Sequence, residues 1–328
     1  MGSSHGKFST LIRFDSVESE EEEEILSTRR QLKLNPRLSR GVPKGNEGKI
    51  VAAGWPNWLV SVAGEAINGW LPRRVDTFEC VDMTGQGTYR NVYKARDVLL
   101  NKVVAMKKLE ALVASKKSSS LYLVFYCMEY DLKGIQEQKG VKFSEPEIKC
   151  YMHQLLKGLD HCHRRDILHG DITTSNLLVN KEGILKIADF GLYTTLFGPE
   201  LGIPLTRKIV TLWYPPPELL LKSYYYVFGV ELWGVGCVLG ELFTGKPIMP
   251  GINEIEQLFK IFKLCGSPSD DYWKNCKSPK ASIFKPRMPY KRQIQETFHD
   301  LPAAAVGLLD TLLSIEPEYR DCRSCSSG

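Results

Sequence analysis

Three oxygen-bearing side chains lie close together near the middle of the chain. Asp171 and Asn176 belong to His169-Gly170-Asp171-Ile172-Thr173-Thr174-Ser175-Asn176, and Asp189 belongs to Lys186-Ile187-Ala188-Asp189-Phe190-Gly191. Converging oxygens of this kind suit Mg²⁺, which usually takes one or two protein groups and leaves its other positions to phosphate oxygens and water. Upstream, Gly85 and Gly87 in Gly85-Gln86-Gly87-Thr88-Tyr89-Arg90-Asn91-Val92-Tyr93 offer backbone amides that can approach phosphate oxygens with no Cβ in the way. The run Val103-Val104-Ala105-Met106-Lys107 then ends on a cation. Together these residues call for phosphate chemistry assisted by a divalent ion.

The elements that must position them are legible in outline. The apolar runs Leu177 to Val179 and Ile184 to Ala188 flank a Lys181-Glu182-Gly183 turn, which predicts a hairpin with Asp171, Asn176 and Asp189 at one end. Strand patterns begin at Phe78, and Leu121 to Glu129 forms an apolar strand running out into Asp131. Pro146 opens a helix with Ile148, Tyr151, Met152, Leu155, Leu156 and Leu159 at helical spacing. Val230 to Phe243 is apolar nearly all round, the mark of a helix buried within a lobe.

Residues 1–48 read as a disordered tail, with an acidic run at Glu20 to Glu24 and a basic stretch around Arg29, Arg30, Lys33, Arg37 and Arg40. Residues 49–77 hold Trp55, Trp58 and Trp70. They predict a short helix with a face of Leu59, Val62, Ala63, Ala66 and Trp70 that packs on the next domain. A net charge of +5 over 328 residues, with no basic stripe, gives no call for direct nucleic-acid binding. No apolar run reaches membrane-spanning length. Nine cysteines without a paired framework or a secretory leader point to reduced thiols inside the cell.

The Gly-x-Gly turn, the Val-Ala-x-Lys strand, the Asp171 to Asn176 loop and Asp-Phe-Gly at 189 occur in that order, and residues 78–320 resemble a protein serine/threonine kinase. Thr211-Leu212-Trp213-Tyr214 before Pro-Pro-Glu, and Gly245 to Gly251, are similar to the cyclin-dependent-kinase-like group. The Trp-rich residues 52–70 resemble an extension found in a plant subgroup. The resemblance implies an α+β, bilobal kinase fold: a reduced small β-rich lobe (78–130) and a larger helical lobe (131–328), C-terminally shortened. It implies ATP and Mg²⁺ as cofactors and a Ser/Thr-bearing protein as substrate. Asp171 is the implied proton acceptor, Asn176 and Asp189 the Mg²⁺ ligands, and Lys107 the partner of the α- and β-phosphates. Gly85, Gly87, Val92, Ala105, Phe125 and Met128 complete the implied nucleotide site. The group also implies a nuclear protein.

Some departures from the pattern bear on function. Kinases ordinarily place a helix and a further strand between the lysine and the strand at Leu121, yet residues 108–120 number only thirteen. That helix carries the lysine's Glu partner and is the group's main cyclin-binding surface, so cyclin binding is in doubt. Glu110, the one acid in the interval, lies three residues from Lys107 and on the opposite face of a strand. Gly170 and Thr173 replace an Arg that pairs with an activation-loop phosphate and a Lys that neutralises the transferring group. Pro215 and Glu231 replace an Arg and an Asp that brace the loop, and the longer Glu231 is expected to shift that brace by about an ångström. A working kinase, a catalytically impaired pseudokinase acting by binding, and a product shortened by splicing or gene decay all remain open.

Overall fold

The computed structural model describes residues 10–13, 49–55, 60, 67, 69, 71–83, 92–109, 121–165, 167–190, 194–195, 212–221, 228–276 and 284–320. The chain divides into two compact units, residues 1–127 and 128–328.

The first unit is a six-stranded sheet of β1 (Thr10–Arg13), β2 (Arg73–Arg74), β3 (Phe78–Met83), β4 (Val92–Asp97), β5 (Lys102–Leu109) and β6 (Leu121–Tyr126), ordered β2-β1-β6-β5-β4-β3. Strands β3 to β6 form an antiparallel meander, with one register shift between Cys80 and Asp82. Period-two alternation decides the two faces. Phe78, Ala95, Val104, Met106 and Val124 form the unit's small core. The residues between them in sequence turn to the other face. Leu109 pairs directly with Leu121, and eleven residues separate the two in sequence. Glu110 is among those eleven and lies outside the described residues.

Four residues of the expected tail lie in β1, beside β6 and β2. In the tryptophan-rich stretch, Trp55 is almost wholly buried, as are Val60 and Ile67 at helical positions. The predicted face of Leu59, Val62, Ala63, Ala66 and Trp70 lies outside the described residues.

The second unit is mainly helical: α1 (Leu132–Gln136), α2 (Glu145–His163), α3 (Pro217–Leu220), α4 (Gly229–Thr244), α5 (Glu254–Cys265), α6 (Asp270–Asn275), α7 (Ile294–Thr297) and α8 (Ala303–Leu312). Short strands β7 (Tyr130–Asp131), β9 (Leu177–Val179) and β10 (Leu185–Ile187) make one sheet, and β8 (Ile167–Leu168) pairs with β11 (Thr194–Thr195). Helix α2 starts where Glu147 accepts from the Ser144 amide at 2.7 Å, and it buries Ile148, Met152, Leu155 and Leu159 as its spacing predicts. In α4 every residue except Leu232, Phe243 and Thr244 is buried, so it forms the axis of the core. Gly234 lets this axis touch the loop before β9, since a Cβ there would sit 3.1 Å from the Ile172 carbonyl oxygen. The seven described cysteines are free, and no helix among the described residues is long and apolar enough to cross a membrane.

Candidate active site

The first unit gathers four of the predicted site residues on one sheet face. Val92 pairs with Lys107, Ala105 pairs with Phe125, and Lys107 pairs with Leu123. Directly paired residues share a face, as do residues two apart on a strand. Val92, Ala105, Lys107 and Phe125 therefore all lie opposite the core face. Gly85 and Gly87 lie outside the described residues. Met128 opens the second unit, two residues after Tyr126, the last residue of the strand that carries Phe125.

In the second unit the β9–β10 hairpin forms as the pattern predicts, pairing Leu185 with Val179 and Ile187 with Leu177 across a turn closed by Gly183 at φ +76°. At its open end the Ala188 amide donates to the Asn176 carbonyl at 2.9 Å, which fixes Asp189 beside Asn176. The Asn176 side-chain amide donates to Asp171 twice, to its carbonyl at 2.8 Å and to Oδ2 at 2.9 Å. Both protons of that amide are thereby engaged, and its oxygen is the atom left for a cation. Asp189 adopts φ +64°, a left-handed conformation uncommon outside glycine and held here by its neighbours.

The donor chemistry fits Mg²⁺. Among the described residues no group of three or more His, Cys, Asp or Glu side chains could enclose a metal ion. An amide oxygen from Asn176 and a carboxylate from Asp189 match an ion that keeps phosphates and water in its shell. Burial pushes the Asp171 carboxyl above its ordinary range, the Asn176 hydrogen bond pulls the other way, and the nearby Asp189 charge adds a further upward push.

The loop is held from α4. Glu231 is buried and its Oε1 accepts from the amides of His169 and Gly170, the latter at 2.8 Å. Its Oε2 meets His163 Nε2 at 2.5 Å. The extra methylene of Glu231 does not break this brace. The side chain spans the gap and makes every contact with good reach. Gly170 sits at φ +80°, where the absence of a Cβ removes the strain another residue would carry. The buried His169 places Nε2 2.7 Å from the Ala188 carbonyl, and its Nδ1 accepts from the Asp171 amide at 3.2 Å. The imidazole proton is therefore on Nε2. Phe190 packs edge-on against this ring at 4.5 Å.

Thr173 is an uncharged residue of the same loop. It is buried, with its hydroxyl 3.0 Å from that of Ser175. Its neighbour Thr174, which the motif reading passed over, has its hydroxyl 3.1 Å from Tyr214 Oη and 3.2 Å from Glu241 Oε1. Tyr214 also donates to Glu241. Two acids on one buried helix, Glu231 and Glu241, thus tie down the start and the middle of the loop. The signal in the sequence was the pair itself, since unpaired carboxylates do not belong in an apolar helix. Glu218 is held likewise by the buried Arg320, at 2.6 and 2.9 Å, and Arg320 also donates to the carbonyls of Gly229, Ser314 and Ile315.

The protein kinase domain family matches residues 111–323. A probable serine/threonine-protein kinase of Arabidopsis thaliana is 52% identical over 91% of this chain and 57% of its own length. A second protein so named, also from Arabidopsis thaliana, is 52% identical over 87% of this chain and 44% of its own. Cyclin-dependent kinase C-2 C of Arabidopsis thaliana is 46% identical over 85% and 48%. The chain spans about half the length of the curated relatives it matches. With the Asp171, Asn176 and Asp189 loops held as described, a sheet-rich small unit and a helical larger one, this chain belongs to the protein kinase family, among its cyclin-dependent-kinase-like serine/threonine members.

Proposed function

We propose that the chain transfers the γ-phosphoryl group of ATP to a serine or threonine hydroxyl of a protein substrate. The observation that carries this reading is the Asp171–Asn176 pair, locked by two hydrogen bonds and held at the end of the hairpin that carries Asp189. Asp171 accepts the proton of the substrate hydroxyl, whose oxygen bonds to the γ-phosphorus as the bond to the bridging oxygen breaks and ADP leaves. Asn176 and Asp189 are the residues that would hold Mg²⁺, which would supply neutralisation of the phosphate charge. Lys107 steadies the α- and β-phosphates, Gly85 and Gly87 cover them, and Val92, Ala105, Phe125 and Met128 enclose the base. Thr173, a hydroxyl where the family pattern has an ammonium, lowers the rate through the missing charge.

Two of the relatives' names support the choice of hydroxyl substrate, and one is named a cyclin-dependent kinase. The shortness of the interval 108–120 in the sequence is the ground for proposing a catalytic unit that does not use a conventional cyclin-facing helix. A nuclear location belongs to the same proposal and rests on family resemblance alone. The test is γ-phosphate transfer from Mg·ATP to a Ser/Thr-Pro peptide by the full chain, with Asp171→Asn as control. Transfer well above the control supports the reading. A rate equal to the control overturns it in favour of the impaired, partner-binding alternative.

A further inference from the structure

The outer edge of β6 decides how the small unit holds together. On its inner side β6 pairs with β5 from Leu109↔Leu121 to Val104↔Tyr126. On its outer side it pairs antiparallel with β1, through Thr10↔Val124, Leu11↔Leu123 and Ile12↔Tyr122. Strand β1 in turn runs parallel to β2, through Ile12↔Arg73 and Arg13↔Arg74. No other strand reaches that side of β6 among the described residues.

The chemistry of β6 makes an open edge costly. Its sequence, Leu-Tyr-Leu-Val-Phe-Tyr, has no charge, no proline and no glycine. An unpaired edge of that composition presents a row of amides and carbonyls to any extended chain, and natural sheets ordinarily guard such an edge with lysine, proline or a bulge. Here none of those devices is present, and pairing is the remaining means of satisfying the edge.

The other end of the sheet shows what the pairing completes. β2 and β3 are the two terminal strands in the sheet order, yet only the one-turn helix Val75–Thr77 separates them in sequence. Arg73 of β2 reaches Asp97 at the end of β4 with contacts of 2.5 and 2.9 Å, and its guanidinium lies 4.3 Å from the Phe78 ring centroid. The sheet therefore rolls until its ends meet. β1 is the one strand in that roll supplied from a distant part of the chain.

We infer that the outer edge of β6 is a strand-addition site, and that its resident occupant is the chain's own segment Thr10–Arg13. In this arrangement the amino-terminal segment supplies the strand that pairs with the outer edge of β6. It closes the roll and holds the strand that carries Phe125. Only this last consequence, for nucleotide binding, rests on the proposed function. The pairing itself does not.

The test is amide hydrogen exchange followed by mass spectrometry on the full chain and on its Leu11→Pro/Ile12→Pro variant. Proline removes the amide at both positions, whichever of the two faces β6. In the parent chain, protection across 10–13 is expected, and its absence would overturn the inference without any variant. In the variant, exchange across 121–126 is expected to quicken by about tenfold or more while 229–244 keeps its rate. Unchanged exchange at 121–126 refutes the assignment. So does an equal rise at 229–244, which would make the segment a general folding determinant instead of an edge occupant. A synthetic peptide of residues 7–16, added to the variant, is expected to restore protection at 121–126 where a scrambled peptide does not. Failure of the native peptide to do so counts against a strand-addition site. Because the readout is amide exchange, the result is independent of phosphoryl transfer.

Discussion

Replacing Glu231 by Asp is a sharp test of how the catalytic loop is held, because Asp is what the family pattern commonly has there. In this chain the carboxylate makes three contacts: with the His169 amide, with the Gly170 amide at 2.8 Å and with His163 Nε2 at 2.5 Å. Removing one methylene withdraws the carboxylate by about 1.5 Å, one carbon–carbon bond. The Gly170 contact then opens to roughly 4 Å, beyond hydrogen-bond range. Each hydrogen bond to a charged acceptor is worth ~1.5–3 kcal/mol, and part of the loss is recovered as the loop moves toward the helix. A net loss of about 3 kcal/mol in the larger unit follows. The same movement displaces Asp171, two residues from His169, so a fall in kcat of roughly 10- to 100-fold is expected with little change in the KM for ATP. Glu231→Gln keeps the length and the oxygen that receives both amides, and asks only that His163 accept at Nε2. It is expected to be the milder change in both measures. Urea unfolding followed by tryptophan fluorescence, with steady-state kinetics on the same preparations, provides the comparison. An Asp variant as stable and as active as the parent, or a Gln variant worse than Asp, would refute the view that side-chain length sets the loop's position.

Three further outcomes follow from other contacts. Arg320→Met leaves the buried Glu218 carboxylate without its partner, and a loss of about 3–5 kcal/mol in the stability of the larger unit is expected from urea unfolding. Asp171 has its carboxyl raised by burial, so the acid limb of the kcat profile is expected above the ordinary aspartate range, where the base becomes protonated. The sign for stability is the opposite: a raised carboxyl stabilises most below its unfolded pKa, and that contribution is lost as pH rises through the folded value. Asp171→Asn is therefore expected to be more stable than the parent at pH 7 while losing transfer, as unfolding and kinetic measurements together would reveal. Asp97 behaves conversely, because Arg73 holds its carboxyl below the usual range. Its contribution is present above the unfolded pKa and fades as pH falls through the folded one, so Asp97→Asn is expected to flatten the acid-induced loosening of the β-sheet unit, read by amide exchange at β4.

Sequence alone named candidate residues for the chemistry and outlined the elements next to them. The hairpin around Lys181-Glu182-Gly183, the helix after Pro146 and the buried helix from Val230 were legible because their hydrophobic periods and turn residues are local. The alternation of β4, β5 and β6 was enough to give a common face, once the register was known, to Val92, Ala105, Lys107 and Phe125. The thirteen-residue interval after Lys107 is legible as a count, and the structure pairs Leu109 directly with Leu121.

Tertiary structure decided what reaches across the chain. Glu231 meets the His169 amide 62 positions away, and Glu241 meets Thr174 67 positions away. No local pattern states whether one methylene more will break such a contact or complete it. The distance between α4 and the loop settles that, and it is set by packing such as Gly234 against Ile172. Likewise Thr10–Arg13 lies in a stretch whose composition reads as a solvated tail. What gives those residues a strand is the unsatisfied edge of β6, a property of the assembled sheet and not of the segment itself.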